Sequence, residues 1–192
     1  MVPYDIKLSP DGHFAYVLSE VDGAVAVVDV RAGRLVDRLT FSGAYRGYFM
    51  AQSPDGRLLY VPRLGKRELW IVDTTTNLAR GVLTEARPYW DVDVTRGTER
   101  GLAVSADGLR LNVATQDDVG GGVSVLDTTS FKELARASLG GGFFGEALSS
   151  NGARLLLTTP ENNHLTILDA ATLSLVTSIE VGQVPYRVVI AQ

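Results

Sequence analysis

The sequence predicts an all-β protein: a β-propeller of four-stranded antiparallel blades, with about four blades plus one extra strand, hence an incomplete ring. Three observations support this prediction. A four-residue turn recurs four times, an aspartate recurs with nearly the same period, and no segment shows a helical period over ten or more residues. Repeats of this length are typical of solenoids and propellers, and four short strands per repeat favour a propeller.

The recurring turn is first met as Ser9-Pro10-Asp11-Gly12, between two short apolar runs. It returns as Ser53-Pro54-Asp55-Gly56, as Ser105-Ala106-Asp107-Gly108 and as Ser149-Ser150-Asn151-Gly152, at spacings of 44, 52 and 44 residues. Proline presets the backbone angle of the second turn position, and glycine accepts the left-handed conformation that follows. We therefore expect a structural role for all four turns.

The second marker is an aspartate that closes an apolar run in every repeat. Its four copies are Asp29, Asp73, Asp127 and Asp169, at spacings of 44, 54 and 42 residues. A carboxylate at the start of a turn accepts hydrogen bonds from the amides of that turn. These aspartates are therefore predicted to be turn formers and not catalytic acids.

Each repeat contains four strand-like runs rich in Val, Leu and aromatic residues and bounded by Gly, Asp, Asn and Ser. The blades are predicted at about 1–43, 44–87, 97–140 and 141–182, within a single partial propeller over 1–192. An insertion over 85–99 accounts for most of the longer second spacing, and the first strand of a fifth blade is expected at 184–192.

The repeat resembles the YVTN-type β-propeller repeat. The resemblance rests on Asp11-Gly12-His13-Phe14-Ala15-Tyr16-Val17 and Asp55-Gly56-Arg57-Leu58-Leu59-Tyr60-Val61, each followed by a Val-x-Val-(Ile/Val)-Asp-like run. Val181-Gly182-Gln183-Val184-Pro185 is similar to the linker between blades of that family. The resemblance covers nearly the whole chain except 85–99 and implies the fold. Related propellers include lactone-cleaving hydrolases and haem- or quinone-associated redox subunits, and the family suggests an exported or periplasmic location.

The end of the chain predicts that the ring is not closed, because residues 184–190 copy residues 2–8, the opening of the first repeat. Three interpretations are open: a fragment of a propeller with six to eight blades, two chains completing an eight-bladed ring, or a four-bladed ring or open arc. Uncovered apolar blade faces lead us to expect self-association.

Composition excludes several classes of function. The chain of 192 residues has a net charge of −4 and no basic stripe, which argues against nucleic acid as a partner. It has no cysteine, which excludes disulfides and thiolate chemistry, and no apolar run of membrane-spanning length. The first residues lack the pattern of a signal peptide, so either the protein is cytoplasmic or a leader lies outside this sequence.

The loops that break the repeat lie on one face of the predicted propeller, and ligand sites usually occupy such variable loops. The predicted ligand-binding residues are Tyr48, Trp90, Asp91, Arg100, Phe144 and Tyr186. The aromatic ones near the channel mouth either form a stacking rim for a flat or sugar-like ligand or wedge adjacent blades apart. For Trp90 the favoured interpretation is an extra hairpin in which it packs against a neighbouring blade.

Catalytic residues are only weakly indicated, by Glu146, Arg187 and His164. Glu146 is an unexpected charge on an innermost strand, either a general base or the partner of Arg100 or Arg187. No metal site is expected, since the two histidines lie on opposite predicted faces, and no cofactor is expected. The sequence thus favours a non-catalytic binding or scaffold propeller, with a protein or small ligand on the irregular face. A lactone-cleaving hydrolase or a redox subunit is the alternative.

Overall fold

A computed structural model describes residues 3–19, 23–41, 49–63, 68–83, 101–117, 120–140, 143, 145–159, 162–185, 188 and 190. These residues form sixteen β-strands in four antiparallel four-stranded sheets, and no helix is found among them. The predicted all-β propeller fold with four-stranded blades is therefore confirmed. The whole 85–99 insertion lies outside the described residues, as do 186, 187, 189, 191 and 192 of the predicted fifth-blade strand.

In every sheet the strands are paired in chain order. Sheet 1 contains β1 (Pro3–Leu8), β2 (Phe14–Ser19), β3 (Ala24–Asp29) and β4 (Arg34–Thr40). Sheet 2 contains β5 (Ala51–Gln52), β6 (Leu58–Arg63), β7 (Glu68–Asp73) and β8 (Leu78–Leu83). Sheet 3 contains β9 (Leu102–Val104), β10 (Arg110–Asp117), β11 (Gly120–Asp127) and β12 (Glu133–Ser138). Sheet 4 contains β13 (Glu146–Leu148), β14 (Arg154–Thr159), β15 (His164–Asp169) and β16 (Leu175–Glu180).

The turn between the first and second strands of each sheet has one hydrogen-bond pattern. In sheet 1 the Ser9 hydroxyl donates to Asp11 Oδ1 at 2.6 Å and accepts from the Phe14 amide at 2.9 Å. The Gly12 amide donates to the Ser9 carbonyl at 2.9 Å, with Gly12 at a φ of 69°. The same contacts recur in sheets 2, 3 and 4, with Asn151 replacing the aspartate in the last.

The turn after the third strand is also repeated. The Asp127 carboxylate accepts from the amides of Thr129 and Ser130 at 3.1 and 2.6 Å, as the turn-forming interpretation predicts. Four residues after the aspartate the backbone is left-handed in every sheet. The residues there are Gly33, Asn77, Phe131 and Leu173. Phe131 and Leu173 are unusual in this conformation, and both are buried.

The chain forms two compact units, Met1–Leu83 and Thr84–Gln192, each with two sheets that pack face to face. In the first unit, sheet 1 contributes a face that we call its trailing face, and sheet 2 contributes its leading face. The trailing face of sheet 1 consists of Tyr16, Leu18, Val25 and Val27. The leading face of sheet 2 consists of Met50, Leu59, Val61 and Val72.

The second unit uses equivalent positions of the repeat. Here the trailing face of sheet 3 contributes Ala114, Val123 and Val125, and the leading face of sheet 4 contributes Leu155, Leu157 and Leu168. Alternation along a strand sends neighbouring side chains to opposite faces, so each sheet has one face of each kind. Within each unit the core therefore lies between its two sheets.

Candidate functional site

Two of the nine predicted site residues, Glu146 and His164, lie among the described residues, and both belong to sheet 4. The other seven lie outside them: Tyr48, Trp90, Asp91, Arg100, Phe144, Tyr186 and Arg187. The predicted aromatic rim and the insertion therefore remain predictions. The site can be built from sheet 4 and from the face of sheet 3 that packs on it.

Glu146 departs from the repeat at a core position. It lies three residues before the turn of its sheet, where the other three repeats have Ile6, Met50 and Leu102. In sheet 2, Met50 at this position belongs to the buried leading face. The chain thus places a carboxyl group where the repeat requires an apolar side chain.

Both carboxyl oxygens of Glu146 are buried and have no hydrogen-bond partner among the described residues. Burial raises the pKa of the Glu146 carboxyl well above its ordinary value, and the nearby Ala114 amide lowers it only in part. That amide donates its hydrogen bond to the Gly101 carbonyl, at 3.1 Å. Burial thus favours the protonated form of Glu146, and a protonated carboxyl group can donate a hydrogen bond.

Gly101 allows the first strand of sheet 4 to come close to sheet 3. A Cβ atom at Gly101 would meet the Cβ of Glu146 and lie 2.7 Å from its backbone nitrogen. In the first unit the equivalent residue is Asp5, whose carboxylate accepts from the Met50 amide at 2.8 Å. The same strand-to-strand junction is thus bridged by a side chain in one unit and closed directly at a glycine in the other.

A cavity of about 470 Å³ opens in the second unit. Its polar lining residues belong to sheet 4 or to the turn before β15. Its apolar lining residues are Leu139 and Phe143, from the chain between sheets 3 and 4, and Leu175 of sheet 4. The lining residues are Leu139, Phe143, Thr159, Asn162, His164, Thr166, Leu175 and Ser178. This volume lies within the range of small-molecule sites, which combine apolar walls with a few polar groups. The described residues of this lining include no carboxylate, lysine or arginine.

The imidazole of His164 is oriented by the turn that precedes β15. Its Nδ1 atom contacts the backbone carbonyl of Asn162, which can only accept a hydrogen bond. Nδ1 therefore carries the proton, and in the neutral ring Nε2 is left as an acceptor. The hydroxyl of Thr159 is directed to the His164 carbonyl, at 2.9 Å, and so helps to fix the same turn.

Glu146 and the cavity residues share the leading face of sheet 4. Glu146 pairs with Leu157, Leu157 with Thr166, and Thr166 with Ser178, so these residues form one row across the sheet. His164 pairs with Thr159 in the next row. Strand spacing places the Cα atoms of Glu146 and His164 roughly 12 Å apart, with fully buried Leu157 between Glu146 and the cavity. The two residues are too far apart to form a direct acid–base pair.

Among the described residues no three His, Cys, Asp or Glu side chains are grouped closely enough to hold a metal ion. His13 contacts Asp29 at 3.4 Å and stacks on Phe14 in the first turn region. Nor does any helix among the described residues have the length and apolar character needed to cross a membrane.

Sequence reasoning identified His164 and Glu146 but missed the hydroxyl-bearing residues Thr159, Thr166 and Ser178. Their alternation with apolar residues is that of any half-buried strand, so no local pattern separated them from structural threonines and serines. A position-by-position comparison of the repeats does reveal Glu146, because its equivalents are all apolar.

No protein-family model matches the chain, and no curated protein matches it either. Among solved structures 1257 chains match, so the fold is in wide use. One of them belongs to Kuenenia stuttgartiensis hydrazine synthase, with 20% sequence identity and a TM-score of 0.70. The match covers 93% of this chain and 49% of the other, so this chain spans about half the length of that one. At this identity the likeness shows the β-propeller fold alone.

Proposed function

We propose that this chain is a binding propeller of the YVTN-repeat type, without catalytic activity, which holds a small neutral hydroxylated ligand in the cavity of sheet 4. The observation that supports the proposal is the lining of that cavity: an imidazole, an amide and three hydroxyl groups beside Phe143 and two leucines. Neutral hydrogen-bonding groups around an aromatic ring are suited to a sugar-like ligand, which presents hydroxyl groups and an apolar face.

His164 is assigned the main polar contact. Because its Nδ1 proton is directed to the Asn162 carbonyl, its Nε2 atom accepts a hydrogen bond from a ligand hydroxyl. Thr166 and Ser178, whose hydroxyl oxygens are 3.5 Å apart, offer further donors and acceptors. The described residues of this lining offer neutral hydrogen-bonding groups, which favours a neutral ligand over an anionic one.

The test is a thermal-shift screen with a panel of neutral mono- and disaccharides, together with their uronic acid and amino-sugar counterparts. A ligand that binds only the folded protein raises the melting temperature by mass action. We expect a neutral sugar to give a shift that His164→Ala abolishes, whereas His13→Ala, which changes the other histidine, leaves it intact. The proposal fails if no sugar gives a shift, or if the shift survives His164→Ala.

The hydrolase alternative depends on Glu146 and His164, the two predicted catalytic residues that the structure describes. Both carboxyl oxygens of Glu146 are closed off from solvent, so a general-base role would require sheets 3 and 4 to separate. A lactonase assay on the native protein and on Glu146→Gln distinguishes the two functions. Turnover that is lost in the variant would favour the hydrolase over the binding protein.

A further inference from the structure

The leading face of sheet 1 exposes large apolar side chains on its first and fourth strands. Ile6 is 58% exposed, whereas Met50, the equivalent residue of sheet 2, is only 3% exposed because sheet 1 packs on it. Leu35 is 53% exposed, whereas its equivalent Ala79 is partly buried in the core of the first unit. In sheet 2 the equivalent positions contact the trailing face of sheet 1. The repeat therefore predicts that these positions of sheet 1 contact the trailing face of another blade.

The trailing face of sheet 4 is uncovered as well. Val181 is 50% exposed, whereas Phe41, at the same position after sheet 1, is 5% exposed. The equivalence is fixed by the backbone, since the amides of Phe41 and Val181 make the same hydrogen bond, to Gly23 and Asn163. Other trailing-face positions of sheet 4 are apolar and only half-buried, namely Leu156, Leu165 and Ile167.

We propose that two copies of this chain associate head to tail, the trailing face of sheet 4 in one copy packing on the leading face of sheet 1 in the other. Each copy has one face of each kind, and the packing of sheet 1 on sheet 2 is the template for the contact. Such an interface is heterologous, because two different surfaces of the chain meet. Exposed apolar faces of this kind mark association surfaces.

The first turns of sheets 1 and 2 show the contact that this pairing would repeat. In the first unit the ring of Pro10 packs over Gly56, with Pro10 Cδ 2.9 Å from the Cβ position of that glycine. The Gln52 amide nitrogen reaches the same place, 3.3 Å from it. Gly12, the equivalent of Gly56, has no heavy atom within 4 Å of its Cβ position, and the same holds for Gly152 in sheet 4.

The packing of sheet 1 on sheet 2 also indicates which residues meet at the proposed contact. Leu8 is the equivalent of Gln52, and Ser150 of sheet 4 is the equivalent of Pro10. Head-to-tail packing therefore brings Leu8 of one copy next to Ser150 of a second copy, close to Gly12. Both residues are exposed, so replacing either one does not disturb the core.

Cysteine cross-linking tests this pairing, because the native chain has no cysteine. Purified Leu8→Cys and Ser150→Cys proteins are mixed, oxidised mildly and resolved without reductant. We expect the mixture to give a disulfide-linked species of twice the 20.6 kDa chain mass, in much higher yield than either variant alone. Equal yields from the separate variants, or no cross-linked product, would overturn the head-to-tail arrangement.

Sedimentation velocity on the native chain and on two matched variants tests the association itself. Leu35→Glu places a charge on the leading face, whereas Leu109→Glu changes a leucine that is 59% exposed in a turn outside both faces. We expect the native chain and Leu109→Glu to sediment as dimers or larger species, and Leu35→Glu as a monomer with an unchanged circular dichroism spectrum. A native chain that stays monomeric at about 100 micromolar would contradict the proposal.

Discussion

At the scale of single residues, Glu146 is the clearest conflict between the repeat and a local side chain. An acid stands where Ile6, Met50 and Leu102 stand in the other repeats, and its buried oxygens have no partner among the described residues. We predict that Glu146→Met increases the free energy of unfolding by about 1–3 kcal/mol at neutral pH, because it removes an unsatisfied buried polar group. Urea denaturation of both proteins measures the difference.

The gain from Glu146→Met has a defined pH dependence. The pKa of Glu146 is raised in the folded state, so its contribution to stability is fully present below its ordinary value of 4.5 and is lost as the pH rises. The stability difference between Glu146→Met and the native protein should therefore be larger at pH 8 than at pH 5. Glu146→Gln is the isosteric control and should remove the same pH dependence. An identical difference at both pH values would contradict this assignment.

Tyr16 connects the two sheets of the first unit through its hydroxyl group. The hydroxyl oxygen is 2.9 Å from both the Thr74 carbonyl and Asn77 Oδ1. We predict that Tyr16→Phe lowers the free energy of unfolding by about 1–2 kcal/mol, because the buried acceptors lose their donor. Equilibrium denaturation at pH 7 checks the change.

Burial raises the pKa of Tyr16 to about 12, from an ordinary value of 10.0. A group whose pKa is raised by folding contributes its full stability below the unfolded value, and that contribution is lost as the pH rises towards 12. The native protein should therefore lose more stability than Tyr16→Phe between pH 9 and pH 11. Parallel losses in the two proteins would contradict the role given to this phenol.

At the scale of the elements, the four turns between first and second strands are nearly interchangeable. The third has Ala106 where the first two have Pro10 and Pro54, and its other hydrogen bonds are the same. We predict that Ala106→Pro increases the free energy of unfolding by about 0.4–1 kcal/mol, because proline restricts the unfolded chain at a position that already fits it. The urea midpoint measures this gain.

A matched control lies in the other kind of turn. The Ala32 amide donates to Asp29 Oδ1 at 2.7 Å, so Ala32→Pro removes a hydrogen bond and should destabilise the protein. If Ala106→Pro destabilised the protein as much as Ala32→Pro, the two prolines of the repeat would need a different explanation.

The sequence was sufficient to predict these elements because turn chemistry and strand alternation are local signals. The turns at Ser9 and Asp127 have the hydrogen bonds that their residue types predict. The left-handed backbone at Phe131 and Leu173 could not be predicted, because large apolar residues disfavour it and only burial in the core compensates. The cavity was missed for a similar reason: it depends on how Leu139 and Phe143 lie beside the hydroxyl groups of sheet 4, and strand periodicity does not report that.

At the scale of the whole molecule, the repeat provides several turn aspartates whose pKa values are lowered by similar hydrogen bonds. The pKa values of Asp11, Asp55 and Asp107 are lowered mainly by their serine hydrogen bonds. Hydrogen bonds from their own turns lower the pKa values of Asp29, Asp73, Asp127 and Asp169 in the same way. Seven turn carboxylates therefore favour the folded state as the pH rises above their ordinary pKa, whereas the contribution of Glu146 changes in the opposite direction.

The balance of these groups predicts the shape of the stability profile. A lowered pKa gives stability that is present above the ordinary value of 3.8 and lost as the pH falls, whereas the Glu146 contribution is lost as the pH rises above 4.5. We predict that the native protein is most stable between about pH 4 and 5, and that Glu146→Met extends this maximum into a plateau towards neutral pH. Urea midpoints from pH 3 to pH 8 measure both profiles. Asp107→Asn, which copies Asn151 of the fourth turn, should weaken the loss at acid pH only slightly, since six other turn carboxylates remain. A native profile that rises steadily up to pH 7 would show that Glu146 is paired when the protein is folded in solution.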